Sequence, residues 1–127
     1  MNDHTISRIA IIILSIVMIV FGIFHFLQPK SLLNYVPPFL PGGIIWVYIV
    51  GAAFILAAIA FILNKMAQLA AYALAILLLI FVITVHLPTY SDAGSMEMKN
   101  LALTNLLKDA ALAAFAMHIG SNAKTVG

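Results

Sequence analysis

Apolar residues fall along the chain in long runs that supply four stretches of the about 20 residues that a helix needs to cross a hydrocarbon core about 30 Å thick. The first covers residues 9–27, and the segment His25-Phe26-Leu27-Gln28-Pro29 after it offers no small-x-small cleavage site, so a retained span is expected rather than a leader. The next run, residues 43–87, contains one charge, Lys65. As a single helix it would measure about 67 Å at about 1.5 Å per residue, so it must fold back, and Asn64-Lys65 is its one stretch of turn chemistry. This predicts spans over 43–63 and 66–87, with Pro88 closing the second and residues 89–100 forming a polar connection. A fourth span is expected over 101–119. The predicted fold is a single all-α domain, residues 1–127: an integral membrane four-helix bundle.

Between the first two spans, residues 28–42 carry prolines at 37, 38 and 41 among apolar anchors, which rules out a continuous helix there. A segment this apolar is expected to lie in the membrane interface, either as a lid or as an ordinary connector.

Composition strengthens the membrane reading. Hydrophobic residues make up 65% and charged residues 8% of the chain, against about 45–50% and about 25% in soluble domains. The net charge is +2 with no basic run, so nucleic-acid binding has no electrostatic basis; the absence of cysteine removes thiolate and disulfide chemistry. With four spans both termini lie on one side. Arg8, Lys65 and Lys124 then face Lys30 and Lys99, which favours cytoplasmic termini in a bacterial inner membrane. Tyr35, Phe39, Trp46, Tyr48 and Tyr90 gather at the opposite boundary, where amphipathic rings settle.

Small residues at helical spacing mark the faces expected to pack: Ser15 and Gly22 with His25, Ala53 and Ala57, the row Ala67, Ala71 and Ala75, and Ala110 with Ala114. Polar residues inside the spans are the chemical candidates. His25, His86, Asn105, Lys108 and Asp109 all fall toward the non-cytoplasmic side, and an intramembrane Lys or Asp costs about 2.5–3.5 kcal/mol unless partnered. Lys108 and Asp109, being adjacent, diverge by about 100°, so each is expected to find a partner on another helix, Asp109 with the imidazole of His25 or His86. Three readings are open: His25 and His86 ligate a haem iron or other metal; the cluster binds the head of a quinone or similar lipophile beneath the loop; or it is a polar clasp that fixes helix register.

Gly22-Ile-Phe-His25-Phe-Leu-Gln-Pro29, Val36-Pro37-Pro38-Phe-Leu-Pro41, Gly51, the Lys65 turn before Leu69-Ala70-Ala71, and Leu106-Leu-Lys108-Asp-Ala-Ala-Leu112 resemble the DoxX and DoxX-like family of small bacterial membrane proteins. The resemblance implies a four-helix inner-membrane protein attached to respiratory or redox complexes, related to a subunit of thiosulfate:quinone oxidoreductase. One departure is Phe54, where the family often carries a glutamate; if that carboxylate serves proton or quinone chemistry, Asp109 must substitute for it. The expected function is an accessory subunit that binds a lipophile and meets a redox partner or a second copy of itself, rather than an autonomous enzyme. The alternatives are a non-catalytic membrane scaffold and a proton-coupled transporter.

Overall fold

The side chain of Asn2 accepts a hydrogen bond from the Thr5 N–H at 2.8 Å, and this N-cap starts the first helix, α1 (Asp3–Leu27), well before the apolar run begins. The computed structural model describes residues 2–123, so Lys124 lies outside the described residues. Pro29 opens a short helix, α2 (Pro29–Leu33), and the chain then runs through turns to Gly42 and Gly43, whose φ angles of 96° and 49° suit glycine. There it enters α3 (Ile44–Leu63), with the Trp46 indole N–H donating to Pro41 O at 2.7 Å across the entry.

The reversal after α3 falls where the lone charge of the long apolar block predicts it. Asn64 takes a left-handed φ of 54° and Met66 one of 56°, and the Lys65 N–H closes back on Ala60 O at 3.0 Å. The returning helix begins as α4 (Ala67–Phe81), widens into a π turn (Val82–His86), and continues as α5 (Leu87–Asp92). Pro88 therefore does not close this helix. The predicted connection over 89–100 shrinks to residues 93–95, after which Ser95, accepting from Met98 N–H at 3.2 Å, caps α6 (Met96–Ser121). No strand occurs among the described residues.

The helices pack mainly as two pairs, α1 on α3 and α4 on α6, joined where α3 meets α4. Ile11, Met18, Phe54, Phe61, Leu74 and Ala113 are among the residues that fill the shared core. Arg8 donates to Phe61 O at 3.2 Å, and Gln68 donates to Gly120 O at 3.0 Å, which gathers the start of α1, the α3–α4 turn and the end of α6 at one end of the molecule. Outside this core the surface is unusually apolar: Ile13, Ile16 and Val20 on α1, Leu56 on α3, and Ile76 and Ile83 beyond it all stand exposed. Water would penalise such a surface, whereas lipid does not. Three helices, Asp3–Leu27, Ile44–Leu63 and Ala67–Asp92, are long and apolar enough to cross a membrane, as in a multi-pass membrane protein.

One predicted packing face is displaced. On α6 the buried residues are Ala102, Asp109, Ala113, Ala116, Ile119 and Gly120, while Ala114 is exposed and Ala110 half-buried. The face runs through Asp109 at spacings of three, four and seven, so α6 is turned to bring that carboxylate inward instead of the Ala110 and Ala114 row.

Candidate functional site

A proline within a helix has no N–H to give and its ring crowds the carbonyl four residues before it, here Thr84 O. The π turn over Val82–His86 widens the helix where that clash would fall. Two threonines flank the defect and turn their hydroxyls onto the backbone. Thr84 donates to Ile80 O at 2.7 Å and Thr89 donates to Val85 O at 2.6 Å, the kind of side-chain repair that lets helices carry proline in lipid.

The extra residue of the π turn sets the direction of His86, which is buried at 8% exposure, and its Nε2 lies 2.7 Å from Oδ2 of Asp109, itself 5% exposed. Asp109 thus meets His86 and not His25. Lys108 corrects the expectation that neighbours on α6 stay apart: its long stem bends so that Nζ lies 3.6 Å from the other Asp109 oxygen, Oδ1. The same ammonium stands 4.7 Å from the centre of the Phe21 ring on α1, so Lys108 also finds its partner on another helix. The Lys108 ammonium gives the Asp109 carboxylate a counter-charge, which removes the largest cost of burying the acid.

The other candidate histidine finds different hydrogen-bond and ring partners. His25 shares a 2.6 Å hydrogen bond from its Nδ1 with Phe21 O on its own helix and packs edge-on against Phe54, ring centres 5.3 Å apart. Phe54 in turn packs against Phe81 with ring centres 6.3 Å apart. Asn105 lies one turn before Asp109 on α6 and is half-buried. Among the described residues no three His, Cys, Asp or Glu side chains gather into a metal-sized group.

Tyr35, which the sequence suggests only as a boundary aromatic, stands edge-on to His86 with ring centres 6.4 Å apart. With Asn34, Val36 and Pro37 it forms one wall of a cleft of about 310 Å³, whose other wall is Thr84, Val85, Pro88, Thr89, Asp92, Ala93 and Met98. The proline-rich segment and the π turn thus line one open cleft. The cleft volume lies at the lower end of the about 300–1,000 Å³ usual for small-molecule sites. Neither the π turn nor the Tyr35 contact is marked in the sequence except by Pro88 with a threonine on each side.

The model of a family described as a domain of unknown function, DUF8561, matches residues 14–120, a stretch that contains all of these side chains. No curated protein and no solved structure matches the chain.

Proposed function

We propose that this chain, which belongs to the DUF8561 family of domains of unknown function, is a DoxX-like accessory subunit of a membrane redox system that binds a quinone or similar lipophile beside His86 and Asp109. The observation that carries this reading is the buried 2.7 Å contact between His86 and Asp109 near an open cleft that the proline-rich segment helps to line. A flat, weakly polar head suits a cleft lined by Tyr35, Val36, Pro37 and Val85 together with a few polar groups. Lys108 supplies a hydrogen-bond donor and Asp109 and His86 supply acceptors, and the pairing of the Lys108 and Asp109 charges favours an uncharged ligand.

In this reading α6 is a fourth span, its polar residues satisfied by α1 and the π turn, and the chain is a four-helix bundle of the bacterial inner membrane. Arg8 and Lys65 fall at the same end of the molecule because Arg8 bonds the last turn of α3, which supports cytoplasmic termini. The outward apolar faces leave room for a redox partner or a second copy of the chain. The competing reading, a scaffold in which the trio is only a clasp, is favoured by the contacts that Asp109 makes with both His86 and Lys108 inside the protein.

Purification of the full chain in mild detergent, followed by solvent extraction and analysis for lipophilic quinones, separates the two. The expected result is a quinone near one per chain, lost on His86→Ala while the helical circular dichroism persists. An empty extract together with no uptake of added quinone or hydroquinone would overturn the lipophile reading in favour of the clasp.

A further inference from the structure

The ring of His86 has one atom with no partner: Nδ1 is buried and makes no hydrogen bond. Its chemical state follows from the other side of the ring. An ionised carboxylate can only accept, and Asp109 has a counter-charge in the Lys108 ammonium 3.6 Å from Oδ1, so the 2.7 Å contact is His86 Nε2–H donating to Oδ2. A neutral imidazole has a single proton, and with that proton on Nε2 the Nδ1 atom presents a lone pair. A second proton there would bury an N–H donor with no acceptor, the more costly of the two states.

We propose, on the reading that a lipophile binds beside this pair, that the site selects the hydroxyl-bearing form of its ligand, a hydroquinone over the corresponding quinone, through acceptance of the ligand O–H by His86 Nδ1. A quinone carbonyl offers only lone pairs and would leave Nδ1 unsatisfied; a hydroquinone hydroxyl supplies the missing donor. Site polar groups left unpaired by the wrong ligand discriminate more strongly than apolar contacts do. Tyr35 lines the cleft and stands edge-on to the His86 ring with ring centres 6.4 Å apart, so the cleft and the imidazole share this neighbour.

Duroquinol and duroquinone share a carbon skeleton and differ in hydroxyl against carbonyl, so binding of each to the full chain in nanodiscs, the quinol under anaerobic reducing conditions, reads the selectivity directly. Duroquinol is expected to bind at least about tenfold more tightly, the effect of about one buried hydrogen bond. His86→Gln keeps an amide donor for Asp109 and removes Nδ1, so the preference should fall away. Asp109→Asn donates to Nε2, moves the ring proton to Nδ1, and should reverse the preference toward duroquinone. A second measurement does not depend on variants: in the nitrogen-15 spectrum of histidine-labelled protein, the His86 Nδ1 resonance should be that of an unprotonated nitrogen and should move with duroquinol alone. Equal affinity for both probes, a preference retained in His86→Gln, or a proton on Nδ1 would overturn the selectivity while leaving a lipophile site in place. Binding of neither probe would overturn both.

Discussion

Gly51 on α3 passes so close to His25 on α1 that a methyl group added to it would stand 2.7 Å from the His25 Cβ and 3.0 Å from Gly22 O. The reciprocal position is as tight, because a methyl on Gly22 would stand 2.8 Å from Gly51 O. At Gly51 the obstacles are the His25 Cβ, which moves only with its backbone, and the Gly22 carbonyl, whereas the nearest atom at Gly22 is Ile55 Cγ1 at 2.5 Å; the approach is of the small-residue kind that holds membrane helices together without a hydrophobic driving force. Gly51→Ala is therefore expected to lower stability by about 1–3 kcal/mol through overpacking. Thermal unfolding in detergent measures it, with Gly94→Ala, where nothing lies within 4 Å, as the matched control that should show no such loss.

The turn between α3 and α4 contains a residue poorly suited to its backbone. Met66 adopts φ 56° and ψ 30°, a left-handed conformation that costs a residue with a Cβ about 1 kcal/mol and costs glycine almost nothing. Its side chain is 72% exposed, so little packing is lost with it. Met66→Gly is expected to stabilise the protein by about 0.5–1 kcal/mol, seen as a raised unfolding temperature. An unchanged or lowered temperature would mean that the Met66 side chain contributes more than its exposure indicates.

How far the sequence discloses this architecture depends on the kind of signal. The apolar helices and the Asn64–Lys65 reversal are legible because length against charge is a one-dimensional property. The rotation of α6 is not, since Ala110, Ala111, Ala113, Ala114 and Ala116 ring the helix and only the contact of Asp109 with His86 selects one face. The continuation past Pro88 is likewise hidden: a proline ordinarily marks a stop, and the π turn that admits it has no sequence period of its own. At the site, spacing on α6 indicates Asn105, Lys108 and Asp109 as one polar group, while the choice of His86 over His25 as the partner is fixed by tertiary packing. Tyr35 is invisible as a neighbour of His86 because a loop residue carries no periodicity from which to place its ring.

Arg8 ties α1 to the end of α3 by donating from Nη2 to Phe61 O at 3.2 Å and to Ile62 O at 3.4 Å. These are among the last carbonyls of α3, which have no partner within the helix and sit at the negative end of its dipole. Arg8→Ala is expected to cost about 1 kcal/mol and to speed amide exchange at Asn64 and Lys65, whose N–H groups bond the same helix end. Arg8→Lys should recover part of the loss, since the ammonium keeps the charge and the donors but lacks the rigid planar fork that presents Nη2 to both carbonyls. Exchange rates unchanged in Arg8→Ala would show that the α3 terminus holds without the guanidinium.

The buried pair yields the largest effect, and its sign depends on how many partners are removed. His86→Leu leaves Asp109 with Lys108 alone, at 3.6 Å and with a lysine side chain 42% exposed, so a loss of about 3–5 kcal/mol is expected, near that of a broken buried pair. Asp109→Leu leaves His86 with both ring nitrogens unpaired, a smaller penalty of about 1–3 kcal/mol for unsatisfied neutral groups, because Lys108 is free to extend toward the surface. The double variant buries neither group, and apolar replacements of a buried pair are often neutral. It should therefore be more stable than His86→Leu by at least about 2 kcal/mol, an interaction energy far outside additivity. Denaturant or thermal unfolding of the four proteins in one detergent supplies the cycle. If the two single losses simply add in the double variant, His86 and Asp109 are not coupled, and both the site and the selectivity assigned to it lose their basis.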